Sequence, residues 1–341
     1  MSSPLTSSKK LTDHKVLIFD VYGTLADWES GIFTALHPLL TRYPVSKNWT
    51  RAEALSAFMS VEGDLQAQFP DMLYNELLAK VHEIMEERIK ALSGADNAGA
   101  ATSAQASLAT TDPAAASTTD AGASTSAAGA KGTEENEHTK FGNSIQHWPV
   151  FPDTCDALQR LAKHFKLVVL SNVDRQSFRY THRLLSEGPS AASIAAADLA
   201  TYTYPEPNPN KYWHPQTAPH SKSPFTVIMT AQDTGCFKPA LGGFLAALDY
   251  FGAHPEVFGD LELGLGAEEV KDRVMSVAQS LPHDHEAASR LGMRSVWIDR
   301  QSAVTCNVTP GGPGAKDKWT WRFETLGEMA DAVEKELQEK V

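Results

Sequence analysis

Val16, Leu17, Ile18 and Phe19 form an unbroken apolar run of β-prone residues, the pattern of a strand buried on both faces of a parallel sheet. Comparable runs end at Ser171, fill Phe225 to Thr230, open at Val274 and cover Arg294 to Ile298. Between them the apolar period becomes helical. Ile32, Leu36, Leu39 and Leu40 make one stripe, and Leu73, Leu77, Leu78, Val81, Ile84 and Met85 make another. Residues 153–165 predict a helix with Ala157, Leu158, Leu161, Ala162 and Phe165 on one face, and Thr325-x-x-Glu328 reads as a capping box opening the last helix. Strands alternating in order with helices predict an α/β fold with a doubly wound parallel sheet. The stretch from 29 to about 92 is helical throughout, so it reads as an insertion after the first strand.

Candidate chemistry falls at the ends of these strands. Asp20 closes the first one, and in open α/β sheets ligands bind at that edge, which makes a carboxylate placed there a candidate nucleophile. Gly23 permits a sharp turn beside it. Ser171 and Asn172 end the second run, Lys238 precedes a proline and a helix-like stretch, and Ser280 and Asp284 lie in a loop before a helix closed by Gly292. The four segments KVLIFDVYGTLADW, LVVLSNVD, GCFKPALGGF and VMSVAQSLPHDHEAASRLGM resemble, in order, motifs I to IV of the haloacid dehalogenase superfamily. The resemblance implies that Asp20 attacks substrate to form an ester. It also implies that Ser171 and Asn172 bind a carboxylate or developing charge, that Lys238 keeps Asp20 ionised, and that Asp284 orients Lys238 or the attacking water. It implies a core at 14–28 and 148–341 with a helical cap inserted at 29–147.

Departures from the superfamily pattern select the branch. Phosphatases carry a second Asp two residues after the nucleophile, where this chain has Tyr22, and a phenol with a reference pKa of about 10 is a poor acid at neutral pH. The first motif IV position holds Ser280 in place of a magnesium ligand, so no metal or other cofactor is expected, Mg²⁺ entering only if the chain is a phosphatase. Asp-x-Tyr-Gly-Thr with Ser280 is similar instead to the L-2-haloacid dehalogenases, which displace halide from a short 2-haloacid without metal. Tyr22 and Thr24 are then expected to shape the substrate pocket, with Ser171, Asn172 and Ser280. Those dehalogenases receive the halide on a cap-domain Arg, yet residues 55–74 contain none, and Arg42 and Arg51 lie in other settings. Their motif IV Asn is also replaced, with Leu281 nearest. A phosphatase on the same fold and a catalytically silent binding protein remain alternatives.

Composition narrows the rest. The net charge of −12 argues against nucleic acid or an anionic membrane surface as partner, leaving a small-molecule substrate, with a homodimer left open. The opening MSSPLTSSKKLTDHK lacks an apolar h-region and no run approaches a membrane span, so a cytoplasmic location is expected. Cys155, Cys236 and Cys306 are too few and scattered for a disulfide framework. Residues 93–140, almost all Ala, Ser, Thr, Gly and Asp before a charged end, predict a disordered loop. Residues 187–223 form a second insert whose Tyr202, Tyr204, Tyr212 and Trp213 predict packing, either as an excursion near the active edge or as a loop on the core. Glu62, Asp64 and Tyr74 could face the substrate from the cap but read better as packing or solvated residues, and His283 and His285 read as loop or capping groups, with His283 also able to reach the pocket as a proton carrier on its reference pKa.

Overall fold

The structure, a computed structural model, describes residues 9–98, 136–188, 196–258, 267–308 and 317–340. Strand β1 (Val16–Phe19) is followed by helices α1 (Trp28–Arg42), α2 (Arg51–Gln68) and α3 (Tyr74–Ala98), then α4 (Glu137–Gly142) and α5 (Thr154–Leu161). Strand β2 (Lys166–Ser171), helix α6 (Arg175–Glu187), strand β3 (Phe225–Thr230) and helices α7 (Ala231–Thr234), α8 (Gly242–Ala253), α9 (Pro255–Phe258) and α10 (Ala267–Asp272) come next. The chain closes with β4 (Val274–Ala278), α11 (Glu286–Arg290), β5 (Arg294–Ile298), β6 (Trp321–Phe323) and α12 (Leu326–Gln338). The six strands form one parallel sheet in the order β3-β2-β1-β4-β5-β6, so the expected α/β doubly wound architecture is present.

This order has a direct consequence for chemistry. Strand succession reverses at β1, and such a switch point opens a crevice outside the carboxyl ends of the strands. Phe19 is in register with Val169 of β2 and Val277 of β4, so the residues that follow all three strands meet there. Both faces of the sheet are covered, which is why every residue of β1, β3 and β4 is buried. One apolar cluster joins Leu17, Phe19 and Val169 to Leu36 of α1, Phe58 of α2 and Leu77 of α3. The other joins Ile18, Val168 and Val227 to Phe244 and Phe251 of α8.

Three sequence expectations need correction. The segment 93–140 was too widely drawn as a disordered loop, because α3 runs to Ala98 and α4 begins at Glu137 under an Asn136 cap. The helical stripe continues through buried Ile89, and buried Phe141 anchors the return; residues 99–135 of that expectation lie outside the described residues. The helix expected over 153–165 stops at Leu161, after which Phe165 packs into the core from a turn. The expected capping box at Thr325 is half formed. Thr325 Oγ1 accepts from Glu328 N, but the Glu328 carboxylate accepts from Glu324 N.

The described part of the 187–223 insert lies on the core. It contains 3₁₀ turns at Ala196–Tyr202 and Pro215–Thr217, and Tyr202, Tyr212 and Trp213 are buried. Trp213 makes an antiparallel bridge with Ile228 along the outer side of β3, its carbonyl accepting from Ile228 N at 2.9 Å. The Arg175 guanidinium, at the start of α6, stacks 3.8 Å above the Tyr204 ring. Among the described residues no helix is long and apolar enough to cross a membrane.

Candidate active site

Asp20 is fixed by what precedes and follows it. Buried β1 carries it to the sheet edge, where its backbone N–H donates to Val277 O of β4 at 3.1 Å. The chain then folds back on itself. Gly23 has φ +101°, a conformation that strains any side chain, and a Cβ there would meet Gln279 Oε1 at 3.0 Å and Trp28 Nε1 at 3.2 Å. This turn returns Thr24, whose hydroxyl donates to Asp20 Oδ2 at 2.7 Å and accepts from Gln279 N at 2.8 Å. Behind the loop, the Arg300 side chain donates to Thr24 O (2.8 Å from Nη2) and pairs with Asp153 (2.7 Å).

On its other side Asp20 meets Lys238. The Lys238 ammonium donates to Asp20 Oδ1 (2.7 Å), Leu170 O (2.9 Å) and Asp284 Oδ1 (2.9 Å), which uses all three of its N–H groups. Burial opposes the charge, but Asp20 and Asp284 outweigh it and hold the Lys238 pKa above its ordinary value. Burial acts the other way on Asp284, pushing its carboxyl up to about 7 against the pull of Lys238. Asp284 Oδ2 and Ser171 Oγ are both buried without a hydrogen-bond partner. Unsatisfied groups of this kind cost about 1–3 kcal/mol each, so their persistence at one sheet edge suits groups awaiting a ligand.

The structure brings all eight predicted site residues into this region, though not all in the expected posture. Asp20, Tyr22, Ser171, Asn172, Lys238, Ser280 and Asp284 line one cavity of about 130 Å³. Thr24 sits fully buried beneath it, bonded to Asp20. The Asn172 side chain is spent on positioning. Its carbonyl oxygen accepts from Lys238 N (2.7 Å) and its amide donates to Lys238 O (3.0 Å). Tyr22 points its hydroxyl at Thr181 Oγ1 (3.0 Å), and burial raises its pKa, so it offers pocket shape and no proton at neutral pH. Ser280 Oγ pairs with His283 Nδ1 (2.8 Å) and caps the single π-helical turn Leu281–His285 that carries Asp284.

Several other residues line the cavity beside these. Glu62 and Tyr74, read in the sequence as packing or solvated groups, both face this cavity and are bonded to each other, Tyr74 OH donating to Glu62 Oε1 at 2.6 Å. Burial pushes the Glu62 carboxyl up to about 7. His283 also lines the cavity, with its pKa lowered by burial and then by Lys238, so it is a neutral base at pH 7. Gln279 and Cys306 complete the far rim, and burial pushes the Cys306 thiol up to about 11. Among the described residues no Arg lines the cavity. Arg42 pairs with Glu86 and Glu137, and Arg51 with Asp27 and Glu29. A larger cavity of about 690 Å³ lies between α2 and α3, but it holds none of the predicted chemistry. The Lys238 ammonium bridges Asp20 and Asp284. Among the described residues no group of three His, Cys, Asp or Glu is arranged to hold a metal ion.

No family model matches the chain, and no curated protein matches it. Solved structures do. The L-2-haloacid dehalogenase from Xanthobacter autotrophicus with chloropropionic acid covalently bound is similar at 12% identity, covering 94% of this chain and 98% of that one, with a TM-score of 0.51. A further L-2-haloacid dehalogenase is similar at 17% identity, covering 93% and 98%, with a TM-score of 0.49. The putative HAD-hydrolase YfnB from Bacillus subtilis, bound to magnesium, is similar at 13% identity, covering 94% and 99%, also with a TM-score of 0.49. At such identities the first of these shows the fold, which this chain shares over nearly its whole length.

Proposed function

We propose that the chain is a hydrolase of the haloacid dehalogenase type that removes halide from a short 2-haloacid through an ester on Asp20, without a metal. The observation that carries this reading is the buried Asp20–Lys238–Asp284 ion network at the switch point of the sheet, with Thr24 holding the second oxygen of Asp20. A carboxylate bonded to an ammonium and a hydroxyl stays ionised and aimed, which is the requirement for a nucleophile. In the first step Asp20 attacks the carbon bearing the halogen, the carbon–halogen bond breaks, and halide leaves with the bonding pair. A halide needs no proton to leave, so Tyr22 in place of a general acid is consistent with this chemistry.

In the second step water attacks the Asp20 ester carbonyl, the acyl–oxygen bond breaks, and the product leaves as a 2-hydroxyacid whose oxygen takes up the proton given up by the water through the base, so that the Asp20 carboxylate is restored. Asp284, with its free Oδ2, and neutral His283 are the bases within the cavity. Ser171, whose hydroxyl has no partner, binds the substrate carboxylate or the tetrahedral oxyanion. Ser280 orients His283, Asn172 positions Lys238, and Tyr22 shapes the wall. The cap expected over 29–147 supplies the roof through Met59, Glu62 and Tyr74.

The test is halide release from short 2-haloacids measured beside phosphomonoester hydrolysis, with and without chelator. Halide release that survives chelation is the expected result. Magnesium-dependent phosphatase activity with no halide release overturns the proposal.

A further inference from the structure

The cavity is rich in carboxyl groups and poor in cations. Asp20, Asp284 and Glu62 line it, yet its ammonium, Lys238, gives its three N–H groups to Asp20, Leu170 O and Asp284. Glu62 is left without a counter-charge. Among the described residues no other Lys or Arg lines the cavity, and His283, its pKa lowered by burial and by Lys238, is neutral at pH 7. Met59, Glu62 and Gln66 are spaced three and four apart on α2, so Glu62 shares the helix face that lines the cavity, while Phe58, Val61 and Leu65 bury in the core.

The surroundings of Glu62 suit a charge that still needs its partner. Tyr74 OH donates to its Oε1 at 2.6 Å, and Gln66 Nε2 approaches the same oxygen at 3.5 Å. Both donors favour the ionised carboxylate, whereas burial opposes it and pushes the carboxyl up to about 7. A cation beside Glu62 would settle that contest. Its Oε2 has no partner among the described residues and is open to one. Tyr22, Trp28 and Tyr74 line the same cavity, and aromatic faces attract an ammonium. Cys306, from the loop after β5, feels the charges of both Glu62 and Asp20, so the two carboxylates bracket one space of about 130 Å³. Ser171 Oγ and Asp284 Oδ2, on residues each 2% exposed, also lack partners there, so the cavity is incomplete without a ligand.

Resting on the reading of Asp20 as a dehalogenating nucleophile, we propose that the substrate is a short 2-haloacid that also carries an ammonium group, and that Glu62, steadied by Tyr74, binds this ammonium on the α2 side of the cavity. Ser171 meets the substrate carboxylate and Glu62 the opposite charge, so two points of contact orient the carbon–halogen bond toward Asp20. The ammonium keeps its protons and takes no part in bond making or breaking. A cavity of this size admits only a small molecule, so the two charges of the substrate stand a few bonds apart.

The experiment has an arm that needs no turnover. Lactate, glycerate and isoserine are 2-hydroxyacids, the product class of the reaction, and differ only in a methyl, a hydroxymethyl or an ammoniomethyl group. Calorimetric titration of the intact chain at neutral pH is expected to show isoserine binding about ten- to a hundredfold more tightly than lactate, with glycerate between them. Glu62→Gln, whose amide carries no charge, is expected to abolish that order, whereas a merely structural Glu62 would weaken all three ligands alike. In the turnover arm, 2-chloropropanoate bearing an amino group on its methyl carbon should release chloride with a higher kcat/KM than 2-chloropropanoate itself, and Glu62→Gln should remove the difference. Equal binding of the three ligands by the wild type, no binding of isoserine, an order that survives Glu62→Gln, or equal weakening of all three in that variant overturns the inference. The expected order of binding, with chloride released from neither haloacid, leaves the ammonium subsite standing and overturns the dehalogenase reading alone.

Discussion

Replacing Asp284 by Asn separates stability from function in one variant. Asp284 is 2% exposed, and burial pushes its carboxyl from the ordinary value near 3.8 up to about 7. At ~1.4 kcal/mol per pKa unit, ionising it in the folded chain costs roughly 4 kcal/mol more than in the unfolded chain. A group whose folded pKa is raised binds its proton more tightly when folded, so its stabilising contribution is full below about 4 and is lost as pH rises through about 7. Between about pH 5 and about pH 8 the wild type should therefore lose about 2–3 kcal/mol through this residue. Asp284→Asn removes that slope. The pull of Lys238 is already part of that raised value, so the broken contact enters only as an offset between the two proteins. Glu62 and the buried histidines affect both proteins alike and cancel in the difference. Urea unfolding of both proteins across the pH range gives the two curves, which should converge toward alkaline pH, while turnover in the variant falls throughout. Parallel curves would refute the assignment of a burial-raised carboxyl to Asp284.

Asp20→Asn should abolish turnover by several orders of magnitude while leaving the fold intact, and single-turnover hydrolysis in ¹⁸O water should place label first on the Asp20 carboxylate; label entering product directly would contradict the ester. Thr24→Val leaves Gln279 N–H buried and unpaired and frees one oxygen of Asp20, so it should cost about 1–3 kcal/mol in unfolding free energy and slow turnover, whereas Thr24→Ser should restore both. Gly142→Ala should destabilise by about 1–3 kcal/mol, read as a lower Tm, because the new Cβ would sit 2.2 Å from the Asn75 backbone carbonyl of α3, which cannot swing aside.

The fold was legible because parallel strands buried on both faces announce themselves as unbroken apolar runs, and strand ends then locate the chemistry. Asp20, Ser171, Lys238 and Asp284 stand at or just beyond such ends, so linear order sufficed to bring them together. Glu62 and Tyr74 carry no such mark. They meet Asp20 only because α2 and α3 pack over the sheet edge, and a glutamate beside buried Val61 looks in sequence like one on any solvated flank. Arg300 was missed for a similar reason: its partners Thr24 and Asp153 are 276 and 147 residues away. Asn172 was expected to bind substrate, and only the folded chain reveals that the Lys238 backbone occupies both ends of its amide.

The bridge between Trp213 and Ile228 bears on how the molecule behaves among its own copies. An open sheet presents rows of unpaired N–H and C=O groups at its two rims, and those rows can template pairing with another molecule. Here one rim has Trp213 taking the Ile228 N–H, and the other ends in a strand of three residues, too short to template much. The aromatic insert thus works as a guard on β3. Its removal would leave the six-residue edge of β3 open to strand exchange and aggregation.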